Sequence, residues 1–147
     1  MKRTVIWADL DANRHMRNTA YSEYATQARI SFFMDHGYSM EKLAEEGLGP
    51  ILLKESLVFY REVLLGEALE VSVYLKGETK DADRFVIFQE IKKANGKLAA
   101  TVQIHGAWMN LKSRKIEIPP SDLIQQVLVK MPKTKDYSLL DKRDFYF

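Results

Sequence analysis

The segment from Asp9 to Tyr21 concentrates side chains that can do chemistry. Within it, Asp11, Asn13 and His15 are spaced two residues apart, so extended or loop backbone can project all three to one side. A carboxylate can act as a general base or a nucleophile, and a histidine exchanges a proton near neutral pH. An asparagine amide can orient a water or hold a carbonyl oxygen. The segment therefore predicts a site for proton transfer or carbonyl addition.

A predicted helix follows these side chains and must position them. Apolar residues recur at helical spacing from Thr19 to about Asp35, and Asn18 or Thr19 can cap the start. The first N–H groups of a helix lack intrahelical acceptors, and the positive end of the helix dipole favours nearby negative charge. The sequence thus places a group that can stabilise an oxyanion directly after the polar segment.

Structural explanations exist for the same residues. Asp9 and Asp11 suit turns, Asn13 suits a left-handed turn conformation, and His15 can be a surface or core histidine. The spacing of the acidic and histidine side chains matches no standard zinc pattern. The chain also lacks a Gly-x-Ser-x-Gly nucleophile elbow and a glycine-rich phosphate loop. We expect neither a metal nor another cofactor.

The remaining elements follow from hydrophobic periodicity. A short strand at residues 3–8 precedes the long helix, and the later predicted elements are a short helix (Met40 to Glu46), four strands (Ile51 to Leu64, Leu69 to Leu75, Phe85 to Lys93, Lys97 to Leu111) and a last helix from Ser121 to Met131. This order predicts an α+β domain in which a curved antiparallel sheet wraps one long central helix.

We predict a single domain over residues 1–131, followed by a C-terminal tail at 132–147. One sheet of this size leaves strand edges and one face uncovered, which favours a homodimer or tetramer. Hydrophobic residues make up 46% of the 147 residues and charged residues 29%, which suits a packed core. The net charge of +2 is too small to predict nucleic acid binding.

Cysteine content and hydropathy further narrow the kinds of protein that the sequence can encode. The chain has no cysteine, which excludes disulfides and thiolate catalysis. Asp9 comes too early for the apolar region of a signal peptide, and no apolar run approaches the roughly 20 residues of a membrane span. We therefore expect a cytoplasmic protein with no membrane partner.

The residues from Asp9 to Tyr21 resemble the Asp-x-Asn-x-His segment of acyl-acyl carrier protein thioesterases. They are also similar to the early aspartate motif of 4-hydroxybenzoyl-CoA-type thioesterases. Both families have the hotdog fold, in which a sheet wraps a long central helix, and the element order agrees to about Leu128. Tyr60 to Glu62 is similar to a second motif of the plant enzymes, in which a cysteine follows the glutamate. Here Val63 takes that place, which removes any cysteine role.

The resemblance implies a role for each matching position. The implied catalytic residues are Asp11, Asn13, His15 and Glu62. Asp11 corresponds to the catalytic aspartate, which activates water or attacks the carbonyl. The backbone N–H of Asn18 corresponds to the group that faces the thioester carbonyl, and Tyr21 is assigned with it to substrate binding. The plant enzymes carry two such domains in one chain, so the resemblance implies that a dimer supplies the second.

The resemblance implies a thioesterase that hydrolyses an acyl-CoA or acyl-acyl carrier protein to a free carboxylic acid and a thiol. Two other functions fit the same fold. One is a protein that binds acyl thioesters without turnover, and the other is a dehydratase that acts on a hydroxyacyl thioester. Because one fold hosts many reactions, the motif and not the fold favours hydrolysis.

Overall fold

The computed structural model describes all 147 residues, Met1–Phe147. Three helices and seven strands account for most of the chain: β1 (Lys2–Thr4), α1 (Asn18–Asp35), α2 (Met40–Glu45), β2 (Leu48–Phe59), β3 (Ala68–Val71), β4 (Tyr74–Thr79), β5 (Arg84–Lys93), β6 (Leu98–Asn110), α3 (Ser121–Leu123) and β7 (Lys133–Leu140). Residues Ile124–Leu128 continue α3 as one π-helical turn, and short 3₁₀ helices lie at Trp7–Asp9 and Lys142–Phe145. None of the helices is long and apolar enough to span a membrane.

All seven strands belong to one sheet. β2 pairs only with β6, and β6 pairs in turn with β5. The other side of β5 is shared by β3 and β4, beyond which lie β1 and β7. Every pairing is antiparallel except that of β7 with β4. The 12-residue strand β2 therefore forms one complete edge of the sheet, and β1 and β7 together form the other.

Helix α1 lies against strands β3, β5 and β6. Its buried residues are Ala20, Tyr21, Tyr24, Ala25, Ala28 and Phe33. The three alanines let the helix backbone approach the sheet closely, and the aromatic rings fill the space between them. Phe33 meets the buried Trp108 of β6 edge to face, with ring centroids 5.7 Å apart. This contact attaches the last turn of α1 to β6.

The prediction of one strand from Ile51 to Leu64 is wrong at its end, because β2 stops at Phe59. Beyond that point the N–H groups of Tyr60 and Arg61 both donate to the carbonyl of Ala99, at 2.8 and 3.1 Å. Two residues then face one residue of the partner strand, which ends the regular ladder. Glu62 consequently lies in a loop, not on a strand face.

The predicted strand from Leu69 to Leu75 is divided into β3 and β4 at Ser72. The hydroxyl of Ser72 accepts the N–H of Glu90 at 2.8 Å, in place of a backbone carbonyl. The carbonyl of Ser72 instead accepts from the side chain of Gln89 at 3.3 Å. A side chain has thus entered the ladder and interrupted it, which the strict alternation of the sequence did not reveal.

The segment 132–147 supplies the seventh strand and the last 3₁₀ helix. β7 lies close to β4 because Gly77 has no side chain: a Cβ there would be 2.7 Å from Leu140 and 3.0 Å from the carbonyl of Ser138. Phe145 is buried, and its ring lies 5.7 Å from that of His105. The domain boundary at 131 stays a prediction.

Candidate active site

A cavity of about 390 Å³ opens where the start of α1 meets the end of β2. Nine residues line it: Asp11, His15, Met16, Asn18, Tyr21, Phe59, Tyr60, Arg61 and Glu62. Five of the six side chains that the sequence singled out are among them. The structure therefore brings together residues from the segment before α1, from α1 itself and from the loop after β2.

A tight turn shapes the segment before α1. The N–H of Asp11 donates to the carbonyl of His15 at 2.8 Å, and the N–H of Arg14 donates to the carbonyl of Asp11 at 3.0 Å. Arg14 adopts the left-handed conformation with φ of 64°. The carboxylate oxygen Oδ1 of Asp11 accepts the N–H groups of Asn13 and His15, at 2.8 and 3.2 Å. These two bonds hold the carboxylate in one orientation and leave Oδ2 without a protein donor.

His15 and Glu62 form the second feature of the cavity. Nε2 of His15 lies 3.0 Å from Oε2 of Glu62, and both side chains are partly exposed. The backbones that carry them are also joined, because His15 and Leu64 form an isolated antiparallel bridge. The N–H of Met16 donates to the carbonyl of the buried Val63 at 2.8 Å. The pair is thus held by its two segments as well as by its own contact.

The N-terminus of α1 forms the third feature. Asn18 is the first helical residue, so its N–H has no acceptor within the helix. The preceding residue, Arg17, makes no capping bond with its side chain. Its guanidinium instead contacts Glu23 at 3.3 Å. An uncapped helix start with its positive dipole end can stabilise negative charge that develops in the cavity.

Tyr21 also lines the cavity, and its side chain is almost fully buried. Burial raises the pKa of Tyr21, and the nearby carboxylates of Asp11 and Glu67 raise it further. The hydroxyl therefore remains a hydrogen-bond donor at neutral and mildly alkaline pH. The ring meets Phe59 edge to face at 5.1 Å, and Phe59 and Tyr60 are each about half exposed. These rings give a substrate an apolar wall beside the polar groups.

The structure does not bring Asn13 into this group. Its side chain is exposed and does not line the cavity, and its N–H serves the turn by donating to Asp11. Spacing by two residues would place both side chains on one side only in extended backbone, and the turn at Arg14 breaks that geometry.

Asp9 is buried and serves the fold. It accepts the N–H of Ile6 at 3.1 Å and the hydroxyl of Tyr24 at 2.5 Å. Burial and the bond to Asp9 raise the pKa of Tyr24 to about 12. Of the other histidines, His36 contacts the carbonyl of Phe32 at 2.7 Å. No group of three or more histidine, aspartate or glutamate side chains could hold a metal ion.

The sequence assigned no site role to four other residues that line the cavity, Met16, Phe59, Tyr60 and Arg61. The Arg61 guanidinium donates to the carbonyl of Leu98 at 2.6 Å, and Arg61 directly precedes Glu62 in the sequence. Two features of the sequence could have pointed to these residues: they lie close to Asn18 or Glu62 in the chain, and two of them are neighbouring aromatic residues at the end of β2. Tyr60 and Arg61 leave the regular ladder by bonding to Ala99, which is distant in sequence.

A family model described as the thioesterase-like superfamily matches residues 5–128. No curated protein sequence matches the chain. Among solved structures, a hypothetical protein of Staphylococcus aureus in complex with CoA is 21% identical with a TM-score of 0.82, and the match covers 100% of this chain and 91% of that one. A 1,4-dihydroxy-2-naphthoyl-CoA thioesterase of Synechocystis is 22% identical with a TM-score of 0.78, covering 87% and 93%.

A DHNA-CoA thioesterase of Staphylococcus aureus is also similar, with 16% identity, a TM-score of 0.74, and coverage of 85% of this chain and 80% of that one. At these identities the likeness concerns the fold. The fold is the hotdog type with a curved antiparallel sheet, as the sequence resemblance predicted.

Proposed function

Because the chain belongs to the thioesterase-like superfamily, we propose that it hydrolyses an acyl thioester to a carboxylic acid and a thiol. The observation that carries this proposal is the cavity itself, which Asp11, His15, Glu62 and the start of α1 all line. A carboxylate, an imidazole–carboxylate pair and an unpaired helix N–H are the groups that addition of water to a carbonyl requires.

In the proposed reaction Oδ2 of Asp11 is the reacting atom. As a base it takes a proton from water, whose oxygen attacks the thioester carbonyl carbon. As a nucleophile it attacks that carbon itself, and water then hydrolyses the resulting anhydride. The two N–H bonds on Oδ1 support both routes, because they fix the carboxylate while leaving Oδ2 free. The carboxylate is essential in either case.

The N–H of Asn18 would stabilise the oxyanion of the tetrahedral intermediate. When the intermediate collapses, the C–S bond breaks. In the base route the leaving sulfur takes its proton from the Asp11 carboxyl; in the nucleophile route it leaves as a thiolate and takes a proton released when water hydrolyses the anhydride. A loss of one such oxyanion donor costs roughly 2.7–4 kcal/mol in other enzymes. In the proposed arrangement the proton on Nε2 of His15 is shared with Glu62, and Nδ1 of the ring accepts a hydrogen bond from the reacting water.

The acyl donor is proposed to be an acyl-CoA or an acyl carrier protein. The Staphylococcus aureus neighbour was solved with CoA, which supports the first. The half-exposed rings of Phe59 and Tyr60, together with Tyr21, would contact the acyl group. We also propose that α1, with its six buried residues, is the central helix of the hotdog fold.

A homodimer or a tetramer is proposed as the active form. The edge strand β2 ends at the cavity, since Phe59 belongs to both. A second copy that pairs along β2 would therefore lie next to the site. This arrangement would cover the long apolar edge and supply the second domain that the sequence resemblance implies.

The test is thiol release from a panel of acyl-CoA and acyl carrier protein substrates, measured with wild type and Asp11→Asn. The asparagine oxygen can still accept the N–H groups of Asn13 and His15, so we expect a folded protein whose turnover falls about 10²- to 10⁴-fold. Asp35→Asn is the matched control, because Asp35 is an exposed residue at the far end of α1.

Each alternative function has its own outcome in this test. Saturable acyl-CoA binding without thiol release would indicate a binding protein. Conversion of a hydroxyacyl thioester to an unsaturated thioester would indicate a dehydratase. Undiminished thiol release by Asp11→Asn would show that Asp11 is not the reacting group.

A further inference from the structure

Lys93, near the end of β5, reaches across to the loop that carries Glu62. We define the 60–67 loop as the residues between β2 and β3 that run from Tyr60 to Glu67. Nζ of Lys93 donates to the backbone carbonyl of Glu62 at 3.1 Å and lies 3.0 Å from Oε1 of Glu67. Its side chain is only 18% exposed. One ammonium group therefore joins Glu62 to Glu67, the last residue of the loop.

Glu67 extends this contact to the middle of the loop. Its second oxygen, Oε2, accepts the N–H of Leu64 at 2.7 Å. Partial burial raises the pKa of Glu67, but the Leu64 N–H and the Lys93 ammonium outweigh it and lower the pKa below its ordinary value. The carboxylate thus stays ionised at neutral pH. Lys93 and Glu67 together form a clamp that holds the loop at Glu62, Leu64 and Glu67.

The clamp acts on the part of the loop that faces the cavity. Leu64 and His15 form an antiparallel β-bridge, and the carbonyl of Val63 accepts the N–H of Met16. The clamped segment is therefore the part of the loop that is hydrogen-bonded to the site. The Glu62 side chain is 61% exposed and has His15 as its contact, so little packing fixes it. The position of the Glu62 carboxylate therefore depends on how the backbone of the 60–67 loop is held.

We propose that Lys93 is a positioning residue, which acts through the Glu62 backbone and Glu67 to keep the Glu62 carboxylate against His15. This inference rests on the proposed function. Lys93 does not line the cavity, so it would not touch the substrate. A displacement of about 1 Å at a reacting group can cost up to about 100-fold in rate, whereas a surface ion pair adds little to stability. We therefore expect loss of the clamp to change turnover more than it changes the free energy of unfolding.

The first test compares Lys93→Met with Lys92→Met as the control, since Lys92 contacts Glu90 on the same strand and its side chain is 45% exposed. We expect Lys93→Met to lower kcat about tenfold while KM changes less than about twofold. Lys93→Arg keeps the charge and should restore part of the rate. A raised KM with unchanged kcat would overturn the proposal, because it would make Lys93 a substrate-binding group.

A double-mutant cycle shows whether Lys93 acts through Glu62. If it does, Lys93→Met added to Glu62→Gln lowers kcat little beyond Glu62→Gln alone. Two independent losses that multiply would contradict the proposal. Loss of activity in Glu62→Gln without any loss in Lys93→Met would also reject the clamp while leaving the proposed function intact.

Hydrogen exchange supplies a readout that does not need activity. In Lys93→Met the Leu64 amide should exchange at least about tenfold faster, while amides in the middle of α1 keep the wild-type rate. Unchanged exchange at Leu64 overturns the clamp even if the enzyme is a thioesterase. A wild type that hydrolyses no thioester, but shows the expected exchange, overturns the proposed function and retains the clamp.

Discussion

At the scale of single residues, Tyr21 separates the contribution of a hydroxyl from that of a ring. Tyr21→Phe keeps the edge-to-face contact with Phe59 and removes only the donor. A neutral hydrogen bond is worth about 1 kcal/mol, so we expect kcat/KM to fall about fivefold. Burial and the Asp11 and Glu67 carboxylates raise the pKa of the hydroxyl above its ordinary value of 10.

The raised pKa of Tyr21 predicts how the effect of Tyr21→Phe depends on pH. A raised pKa keeps the hydroxyl protonated, so the wild-type advantage over Tyr21→Phe should stay constant from pH 7 to about 10. Rate profiles of the two proteins over this range measure the ratio. A ratio that falls to one well below pH 10 would show that the hydroxyl is not the group that helps.

The sequence predicted cavity residues of two kinds: neighbours in one short segment, and a residue that a family motif covers. Asp11, His15 and Asn18 share one short segment and line the cavity as expected, whereas Asn13 in the same segment does not, because the turn at Arg14 could not be predicted from spacing. Glu62 is distant from them, and its role came from the resemblance, since a lone glutamate beside an arginine reads as a surface charge. Lys93 could not be predicted, because its contact with the 60–67 loop exists only in the folded chain.

At the scale of elements, the bond between Tyr24 and Asp9 attaches α1 to the 3₁₀ helix before the active-site turn. Tyr24→Phe would leave the buried Asp9 carboxylate with the Ile6 N–H as its remaining donor. We expect the free energy of unfolding to fall by about 1–3 kcal/mol, measured with urea. Tyr38→Phe is the control, because its hydroxyl makes only a 3.4 Å contact with Glu46.

The raised pKa of Tyr24 gives this prediction a pH window. The pKa is about 12 in the folded protein and 10 ordinarily, so the stabilisation is complete below pH 10 and is lost as the pH rises toward 12. The difference in stability between wild type and Tyr24→Phe should therefore be largest near pH 8 and smaller near pH 11. A difference that grows with pH would contradict the assignment.

Element boundaries were harder to predict than element types. The helix from Thr19 to about Asp35 is confirmed within one residue at its start, because alanines and aromatics recur on its buried face. β2 was predicted too long because Val63 continues the apolar face of Leu57 and Phe59, whereas the N–H groups of Tyr60 and Arg61 both bond to a single carbonyl. The local sequence does not indicate which distant residue, here Ala99, accepts these hydrogen bonds.

At the scale of the whole molecule, the two edges of the sheet differ in how they discourage pairing. β1 has three residues, and β7 carries Lys133, Lys135 and Asp136. β2 has 12 residues, of which two are charged (Lys54 and Glu55), and it exposes Leu52, Leu53 and Val58. Short or charged edge strands resist association, whereas a long apolar edge promotes it. β2 is therefore the edge along which we expect two copies to pair.

The test is the molar mass of the protein in solution, measured by light scattering at micromolar concentration. Wild type should be a dimer or tetramer, and Leu53→Lys with Val58→Lys should lower the assembly state, because two charges would enter a surface that pairing buries. Leu139→Lys on β7 is the control, since Leu139 is 66% exposed at the opposite edge. A monomeric wild type, or a double variant with the wild-type mass, would reject β2 as the interface. Because Phe59 of β2 lines the cavity, a dissociated variant should also lose thiol release.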